Sequence, residues 1–247
     1  MFNGIPLITA RVMFLTALIT PSFALGAKKY DHLKMCTESV KALSKINDYT
    51  AIFHTQERQN GKLTKEETIK MKFRQPFSIY MKWTGHSIRG QEVLFVEGWN
   101  RNRLRVRPGG LITSLVTLNL DPRSKLAMEK NRHPVTDAGL HKLMNLITDN
   151  LKIGLARKEY KQIDHGNFIT FGRPVHRFEG IFEAKDRKLY YCYRAVIDMD
   201  MEHMIPIKVM LYDWDNNLLE NYGYEDVVIN PGLTDHDFDP RNKEYRF

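Results

Sequence analysis

The feature of this sequence that most constrains its fold is an alternation of apolar and polar residues that recurs in a series of short runs. Residues 69–74 read Ile-Lys-Met-Lys-Phe-Arg, and they follow an Asn60-Gly61 pair that is typical of a tight hairpin turn. A period of two places the apolar side chains of a run on one face of a β-strand. The pattern continues through residues 77–107 and returns in residues 168–229, between turns rich in Gly, Asp, Asn and Pro. It predicts about nine antiparallel strands.

Two segments carry the three- and four-residue spacing of amphipathic helices instead. The first, from about residue 28 to residue 46, is predicted from Leu33, Cys36, Val40 and Leu43. The second lies between Leu111 and Gln162, with Thr136 as its N-cap and an apolar stripe of Leu140, Leu143, Met144, Ile147 and Leu151. A single antiparallel sheet of this size curls and needs a cover for its apolar face. We therefore expect an α+β fold in which a curved, half-open barrel carries an N-terminal helix and an inserted helical lid on its concave face.

The composition is that of an ordinary globular protein. The chain has 247 residues, of which 43% are hydrophobic and 27% charged. A chain of this size can bury a continuous core without disulfides or metal, which excludes a disordered chain, a collagen and a small disulfide scaffold. No sharp shift in composition marks a boundary, so we expect a single domain over residues 27–247. The two cysteines, Cys36 and Cys192, are compatible both with buried free thiols and with a disulfide.

The first 26 residues have the pattern of a secretory signal peptide. Arg11 precedes an apolar run at residues 12–19 that is too short to span a membrane, and small residues permit cleavage after Ala24 or after Gly26. An uncleaved interfacial anchor is the alternative. We expect an exported, periplasmic protein. The whole chain has a formal net charge of +8, and cleavage would remove only the charge of Arg11. The exported protein therefore remains basic and faces anionic lipid, lipopolysaccharide or cell-wall polymer, and we expect no nucleic-acid partner.

Short motifs at both ends of the chain follow one another in a recognisable order. Near the start, Lys-Phe-Arg-Gln-Pro-Phe at residues 72–77 precedes a strand that ends at Trp83. Near the end come Pro-Ile-Lys at 206–208, Tyr-Asp-Trp-Asp-Asn-Asn at 212–217, Tyr-Gly-Tyr-Glu-Asp at 222–226, Ile-Asn-Pro-Gly-Leu at 229–233 and Phe238. This order resembles the LolA/LolB-type lipoprotein carrier superfamily. The middle, from Gly98-Trp99-Asn100 to Arg132-His133-Pro134-Val135, is similar to an uncharacterised bacterial domain family within it.

The resemblance covers most of the chain after the signal peptide, and it implies a curved sheet around a hydrophobic cavity, with helices as a lid, in the periplasm. We therefore expect a binding or carrier protein for a lipid, an acyl chain or a lipoprotein. The long insertion at 111–162 and the high charge depart from a lipoprotein chaperone. The expected ligand-binding residues are apolar side chains of two neighbouring strands and of the lid, namely Ile69, Met71, Phe73, Ile79, Met81, Trp83, Leu140, Leu143, Met144 and Ile147. If these side chains are core alone, the protein is a non-catalytic scaffold or sensor with a filled cavity.

An envelope hydrolase is a further alternative. Asp198, Asp200 and Glu202 alternate along one strand, and His133 precedes the second helix, so these residues could supply acid–base groups. No HExxH, CxxC or GxSxG motif accompanies them, and the nine histidines are scattered. The simpler interpretation makes the acidic residues the solvated face of an amphipathic strand. We expect no enzymatic activity, no cofactor and no metal site.

Four arginines form the most concentrated positive charge. Arg101, Arg103, Arg105 and Arg107 alternate with Asn102, Leu104 and Val106, so a continuous strand would project all four guanidinium groups from one face. Such a face would bind anionic lipid headgroups or lipopolysaccharide, since guanidinium groups suit phosphate. The alternative is a solvated outer face that opposes edge-to-edge aggregation.

Overall fold

The computed structural model describes residues 30–85, 88–110, 116–129 and 131–247. Twelve strands in these residues belong to one antiparallel sheet, and three α-helices accompany them. The strands are β1 Asp48–Gln59, β2 Lys62–Leu63, β3 Glu67–Arg74, β4 Ser78–Trp83, β5 Glu92–Val96, β6 Leu104–Arg107, β7 Leu118–Leu120, β8 Tyr160–Thr170, β9 Arg173–Phe182, β10 Arg194–Asp200, β11 Ile205–Tyr212 and β12 Leu218–Ile229. The helices are α1 His32–Leu43, α2 Lys125–Met128 and α3 Leu140–Arg157. The architecture is α+β, as the sequence predicts.

The sheet consists of two meanders that meet at the first and the last strand. Its order is β7-β6-β5-β4-β3-β1-β12-β11-β10-β9-β8, with β2 paired to the end of β1. The junction pairs β1 with β12, from Tyr49 opposite Ile229 to Glu57 opposite Glu220. Within the described residues β7 and β8 each have one neighbour, so the sheet is not closed.

Twelve strands form where the alternation predicted about nine. β2 and β7 have two and three residues, which is too short for a pattern of period two to show. β8 begins at Tyr160, inside the segment predicted to be helical. Its alternation is hidden because Gln162 and Asp164 are polar. Both bind backbone of the N-terminal segment, where Gln162 Nε2 donates to the Tyr30 carbonyl at 2.6 Å and the Tyr30 N–H donates to Asp164 at 3.4 Å.

The long helix α3 begins four residues after the predicted N-cap, Thr136. Residues 135–137 form a 3₁₀ turn, and the chain turns into α3 at Gly139, whose φ is +102°. A Cβ at Gly139 would lie 3.1 Å from both the Phe73 ring and the Tyr49 hydroxyl, so the turn requires glycine. The Leu140 N–H donates a hydrogen bond of 3.1 Å to that hydroxyl. The start of α3 is therefore fixed by contact with β1 and β3.

α1 and α3 pack against each other and against one face of the sheet. Asp31 caps α1 by accepting a hydrogen bond of 2.8 Å from the Lys34 N–H. The buried faces of the two helices share one hydrophobic core with the inward side chains of the strands. The helical residues in this core are Met35, Cys36, Leu43, Leu140, Leu143, Met144 and Leu151.

The C-terminal segment after β12 covers part of the opposite face. Phe238 and Tyr245 form a second, smaller core with Tyr80 and Leu94, and the rings of Tyr80 and Tyr245 stack 3.9 Å apart. Two ion pairs with cations of β3 border this core. Lys72 Nζ lies 2.9 Å from Asp237, and Arg74 lies 2.6 Å from Asp235. The basic face that the sequence shows at residues 70–74 is thus partly occupied by the chain itself.

Cys36 and Cys192 are buried free thiols that line one small cavity of about 30 Å³. Burial raises the pKa of each thiol to about 12. No helix in the described part of the chain is both long and apolar enough to span a membrane. The predicted signal peptide at residues 1–26 lies outside the described residues.

Candidate functional site

A cavity of about 860 Å³ lies beside the inner face of the N-terminal meander. Its walls come from β1, β3–β7 and β12, from residues 122–129 and 131–139 and from the first turns of α3. Most of the lining is apolar, and it includes Phe53, Ile69, Met81, Trp83, Val93, Leu104, Val106, Leu118, Leu120, Leu126, Val135, Leu143 and Tyr224. Both the volume and the apolar walls are typical of small-molecule sites.

The ten predicted ligand-binding residues separate into three groups. Ile69, Met81, Trp83 and Leu143 line the large cavity. Ile147 lines the small cavity beside the two cysteines. The other five, Met71, Phe73, Ile79, Leu140 and Met144, are fully buried and pack within the core. The assignment of all ten to ligand binding stays a prediction.

Position along the strands separates the side chains that line the cavity from those that pack in the core. Across the β3–β4 pair, Ile69 lies opposite Trp83 at one end and Phe73 opposite Ile79 at the other. The start of α3 fills the Phe73 end, where His141 stacks on the Phe73 ring with centroids 5.5 Å apart. At the other end, Ile69 and Trp83 line the cavity. Alternation identifies the inward face of a strand, but the helix position decides which inward residues meet a cavity.

Sequence reasoning missed much of the cavity wall. Leu104 and Val106 line the cavity from β6, and their alternation with the arginines is the sequence signal that could have identified them. Leu118 and Leu120 lie on β7, inside the segment predicted to be helical. Phe53 and Tyr224 come from β1 and β12 and pack with ring centroids 4.9 Å apart. Their proximity depends on the pairing of the first strand with the last.

One end of the cavity is polar and centres on Glu220 of β12, which is only 1% exposed. Arg132 Nε donates to Glu220 Oε1 at 2.8 Å, and His133 Nε2 lies 3.0 Å from the same oxygen. The Tyr191 hydroxyl also donates to this oxygen and lies 2.8 Å from His133 Nε2. Three donors therefore compensate the burial of one carboxylate.

A second carboxylate, Glu57, lies beside Glu220 in the β1–β12 register. Its Oε1 accepts a hydrogen bond of 2.7 Å from the Tyr222 hydroxyl, and its Oε2 accepts one of 2.9 Å from the Arg132 N–H. Arg132 Nη1 also donates to the Arg58 carbonyl at 3.0 Å. These bonds tie the loop before α3 to the sheet across the end of the cavity.

The surroundings at the polar end of the cavity shift the pKa values of the residues that meet there. The hydrogen bond with Glu220 raises the pKa of His133 above its ordinary 6.5, although burial opposes this. Burial by itself would raise the pKa of Glu220, but the hydrogen bonds from His133, Tyr191 and Arg132 lower it below 4.5. Burial, followed by the charge of Glu220, raises the pKa of Tyr191. Glu220 is therefore held as a charged carboxylate beside the Arg132 cation and the neutral Tyr191 hydroxyl.

The four arginines do not lie on one continuous strand, which corrects the prediction. β6 begins only at Leu104, and Arg101 lies in a preceding turn with a left-handed φ of +56°. The turn forms because Asn102 accepts a hydrogen bond of 2.7 Å from the Gly98 N–H. Arg105 and Arg107 still lie opposite the inward Leu104 and Val106, with Arg103 extended just before them. Membrane docking by this group stays a prediction.

The acidic residues of β10 are not a solvated face. Asp198 and Asp200 are 0% and 1% exposed, and only Glu202, beyond the strand, reaches solvent. Arg177 donates two hydrogen bonds to Asp198, at 2.6 and 2.7 Å, and the Thr170 hydroxyl adds a third at 2.7 Å. These partners come from neighbouring strands, which the alternation within β10 cannot show. With its lone pairs occupied in this way, Asp198 is built as a structural ion pair.

Asp200, Glu202 and His203 place three potential metal ligands within 4.8 Å of one another. Arg173 already pairs with both carboxylates, at 2.7 Å to Asp200 and 3.2 Å to Glu202. Its guanidinium supplies the positive charge that these groups require.

Solved structures of other proteins are similar to this chain at low sequence identity. The Mycobacterium tuberculosis lipoprotein LppX is 12% identical with a TM-score of 0.49, over 84% of this chain and 97% of that one. A LolA superfamily protein from Nitrosomonas europaea is 10% identical with a TM-score of 0.34, over 83% and 97% of the two chains. No curated protein matches the chain. Residues 46–247 match the family described as "Protein of unknown function (DUF1571)", which confirms the predicted kind of family, and the chain belongs to that family.

Proposed function

We propose that the protein binds a hydrophobic ligand in the 860 Å³ cavity and acts as a binding or carrier protein of the cell envelope. The cavity is the observation that carries the proposal. Protein interiors are packed without voids of this size, whereas pockets for small molecules have such volumes and such apolar walls. The open sheet, with its helices, acts as a half-barrel around the ligand.

The proposal includes export to the periplasm and a single domain over residues 27–247. Export is supported by the signal-peptide pattern of residues 1–26. In this compartment the ligand is a lipid, an acyl chain or the acyl chains of a lipoprotein. A scaffold with a filled cavity is less well supported, because much of the inner face of β4–β7 borders open volume. A hydrolase is also less well supported, because Asp198 and Asp200 are held by arginines.

Trp83 offers a direct test because it lines the cavity. The other two tryptophans lie elsewhere, since Trp99 packs against the C-terminal core and Trp214 stacks with Tyr193. A Trp99→Phe, Trp214→Phe variant leaves Trp83 as the only tryptophan. We expect a fatty acid brominated along its chain to quench this fluorescence saturably. The unbrominated acid should compete and should not quench.

The matched control is a Trp83→Phe, Trp99→Phe variant, which retains only Trp214. Its fluorescence should be unaffected over the same concentration range. Organic extraction and mass spectrometry of the purified protein then identify a co-purifying lipid. Equal quenching of both variants, or no quenching of Trp83 together with an extract free of lipid, contradicts the proposal.

The arginines of β6 and its preceding turn, Arg101, Arg103, Arg105 and Arg107, fit the same function as a docking surface for anionic lipid. Each exposed cation near such a surface contributes about 1 kcal/mol. We expect the protein to co-sediment with anionic but not zwitterionic vesicles, and Arg103→Glu with Arg105→Glu to abolish this. Lys41→Glu with Lys45→Glu, an equal charge change at exposed positions around the end of α1, is the control. Equal co-sedimentation of the two double variants would contradict docking through these arginines and would favour a solvated outer face.

A further inference from the structure

The polar end of the cavity carries hydrogen-bond acceptors in excess of donors. Five side chains from three adjacent strands meet there, and we call them the acceptor patch: Thr55, Glu57, Glu67, Glu220 and Tyr222. Strand register sets the arrangement, because Thr55 lies opposite both Glu67 on β3 and Tyr222 on β12, and Glu57 lies opposite Glu220. All five line the cavity.

Two of these carboxylates have acceptor capacity left over. The three hydrogen bonds that Glu220 accepts within the described residues all end on Oε1, so Oε2 has none of them. Glu67 Oε2 is buried and accepts no hydrogen bond from the described residues. A buried acceptor without a donor is costly, and this cost is removed when a ligand supplies the donor.

The charge around the acceptor patch favours the same kind of ligand. Arg132 and His133 are engaged with Glu220, and among the described residues neither Glu57 nor Glu67 has an ion pair. Lys65 and Lys142 also line the cavity, but both are exposed to solvent and the structure shows no ion pair between either of them and the patch. A phosphate or carboxylate head placed at the patch would meet like charge in a poorly hydrated site.

We propose that the cavity binds amphiphiles whose polar head is a hydrogen-bond donor without negative charge, a hydroxyl or an ammonium group. The head lies at the acceptor patch, and the hydrocarbon tail extends along the apolar wall formed by Trp83, Val93 and Leu104. This inference rests on the proposed function and specifies its ligand class.

Four amphiphiles with the same twelve-carbon tail test the proposal: 1-lauroylglycerol, dodecylamine, laurate and dodecyl phosphate. Affinities are measured below their micellar concentrations by calorimetry and by competition with the brominated probe. We expect the glycerol or the amine head to bind about tenfold more tightly than either anionic head. The comparison between these two donor heads identifies a polyol or an ammonium as the source of the donor.

Glu67→Gln is the first variant, because its side chain makes no hydrogen bond to the described residues and the fold should tolerate the change. Glu220→Gln is the second, and it removes the charge at the centre of the patch. Both should reduce the preference for donor heads several-fold. Glu225→Gln is the control, since Glu225 also lies on β12 but pairs with His54 outside the cavity. It should leave the preference unchanged.

The outcomes separate the two proposals. Tight binding of laurate or dodecyl phosphate, equal to or better than the donor heads, overturns the inference about the head while leaving the carrier function intact. A preference that survives both Glu67→Gln and Glu220→Gln overturns the role of the patch. Absence of binding by all four amphiphiles counts against the carrier function itself.

Discussion

Glu220 shows how a single buried carboxylate can organise a polar site. It is 1% exposed, and Arg132, His133 and Tyr191 all direct donors to one of its oxygens. A buried charge with this many partners is tolerated, and removal of one partner leaves the others poorly compensated. Each member of the cluster therefore contributes to stability, and Glu220, His133 and Tyr191 also line the cavity.

Replacement of His133 should make stability less dependent on pH. The folded-state pKa of His133 lies above 6.5, so protonated His133 stabilises the fold fully below about pH 6.5. This contribution is lost as the pH rises through the folded-state value. We expect His133→Gln to lower the free energy of unfolding by about 1 kcal/mol near pH 6 and by less near pH 9, measured by urea denaturation. His236→Gln, at an exposed position, should show no such difference.

The pair of Arg177 and Asp198 should be among the most sensitive positions in the sheet. Asp198→Ala leaves the half-buried Arg177 guanidinium without its counter-ion and the Thr170 hydroxyl without its acceptor, and we expect a loss of about 2–3 kcal/mol in urea denaturation. Replacement of both partners, as Arg177→Met with Asp198→Leu, should cost less than Asp198→Ala alone. Glu202→Ala, whose side chain is 76% exposed, should change stability by under about 0.5 kcal/mol. A loss for Asp198→Ala as small as that for Glu202→Ala would contradict a stabilising role of the ion pair between Arg177 and Asp198.

Among the elements, the C-terminal segment has a role that the sequence pattern does not predict, which is to cover part of the outer face of the sheet. It places Phe238 and Tyr245 on the outer face of β4 and β5, so that this part of the sheet is covered on both faces. An antiparallel sheet commonly has one solvated face, and the basic residues of β3 suggested such a face here. The ion pairs of Lys72 and Arg74 with this segment replace solvent as their partners.

Tyr245→Ala should release the C-terminal segment from the sheet. The substitution removes the ring stacked on Tyr80, and we expect a loss of about 3 kcal/mol in the free energy of unfolding. Amide hydrogen exchange should increase in residues 231–247 and less in the central strands. Arg241→Ala, in the same segment but 88% exposed, should have little effect. Unchanged exchange in Tyr245→Ala would mean that the ion pairs suffice to hold the segment.

At the scale of the whole molecule, the cavity that the proposed function requires lowers the stability of the unliganded protein. Apolar side chains around an unfilled volume lose packing contacts, so a ligand that fills the volume stabilises the folded state. Val93 is buried in β5 and lines this volume. A larger side chain at this position can therefore measure how much stability the cavity costs.

Val93→Phe should fill part of the cavity, raise the free energy of unfolding by about 1 kcal/mol without ligand and weaken binding of the brominated probe. The added ligand should then raise the melting temperature by less than in the unsubstituted protein. Val228→Phe is the matched control, because Val228 is 52% exposed and lies outside the cavity. A destabilised Val93→Phe variant with unchanged binding would show that this part of the volume is not used.

The amino-acid pattern alone predicts the α+β class, the antiparallel meanders, the N-terminal helix and the inward face of strands such as residues 69–74. These are local properties, because periods of two and of three to four residues depend on neighbouring side chains alone. It also determined that Leu104 and Val106 lie on the face opposite Arg105 and Arg107.

Which inward residues pack in the core and which line a cavity depends on the tertiary structure, since the start of α3 packs against Phe73 whereas Ile69 and Trp83 line the cavity. Only the tertiary structure buried the acidic residues that the pattern placed in water. Glu57 and Tyr222 are 165 residues apart and share a hydrogen bond because β1 pairs with β12. Burial of a polar group depends on partners that distant strands supply, and a local pattern does not contain them.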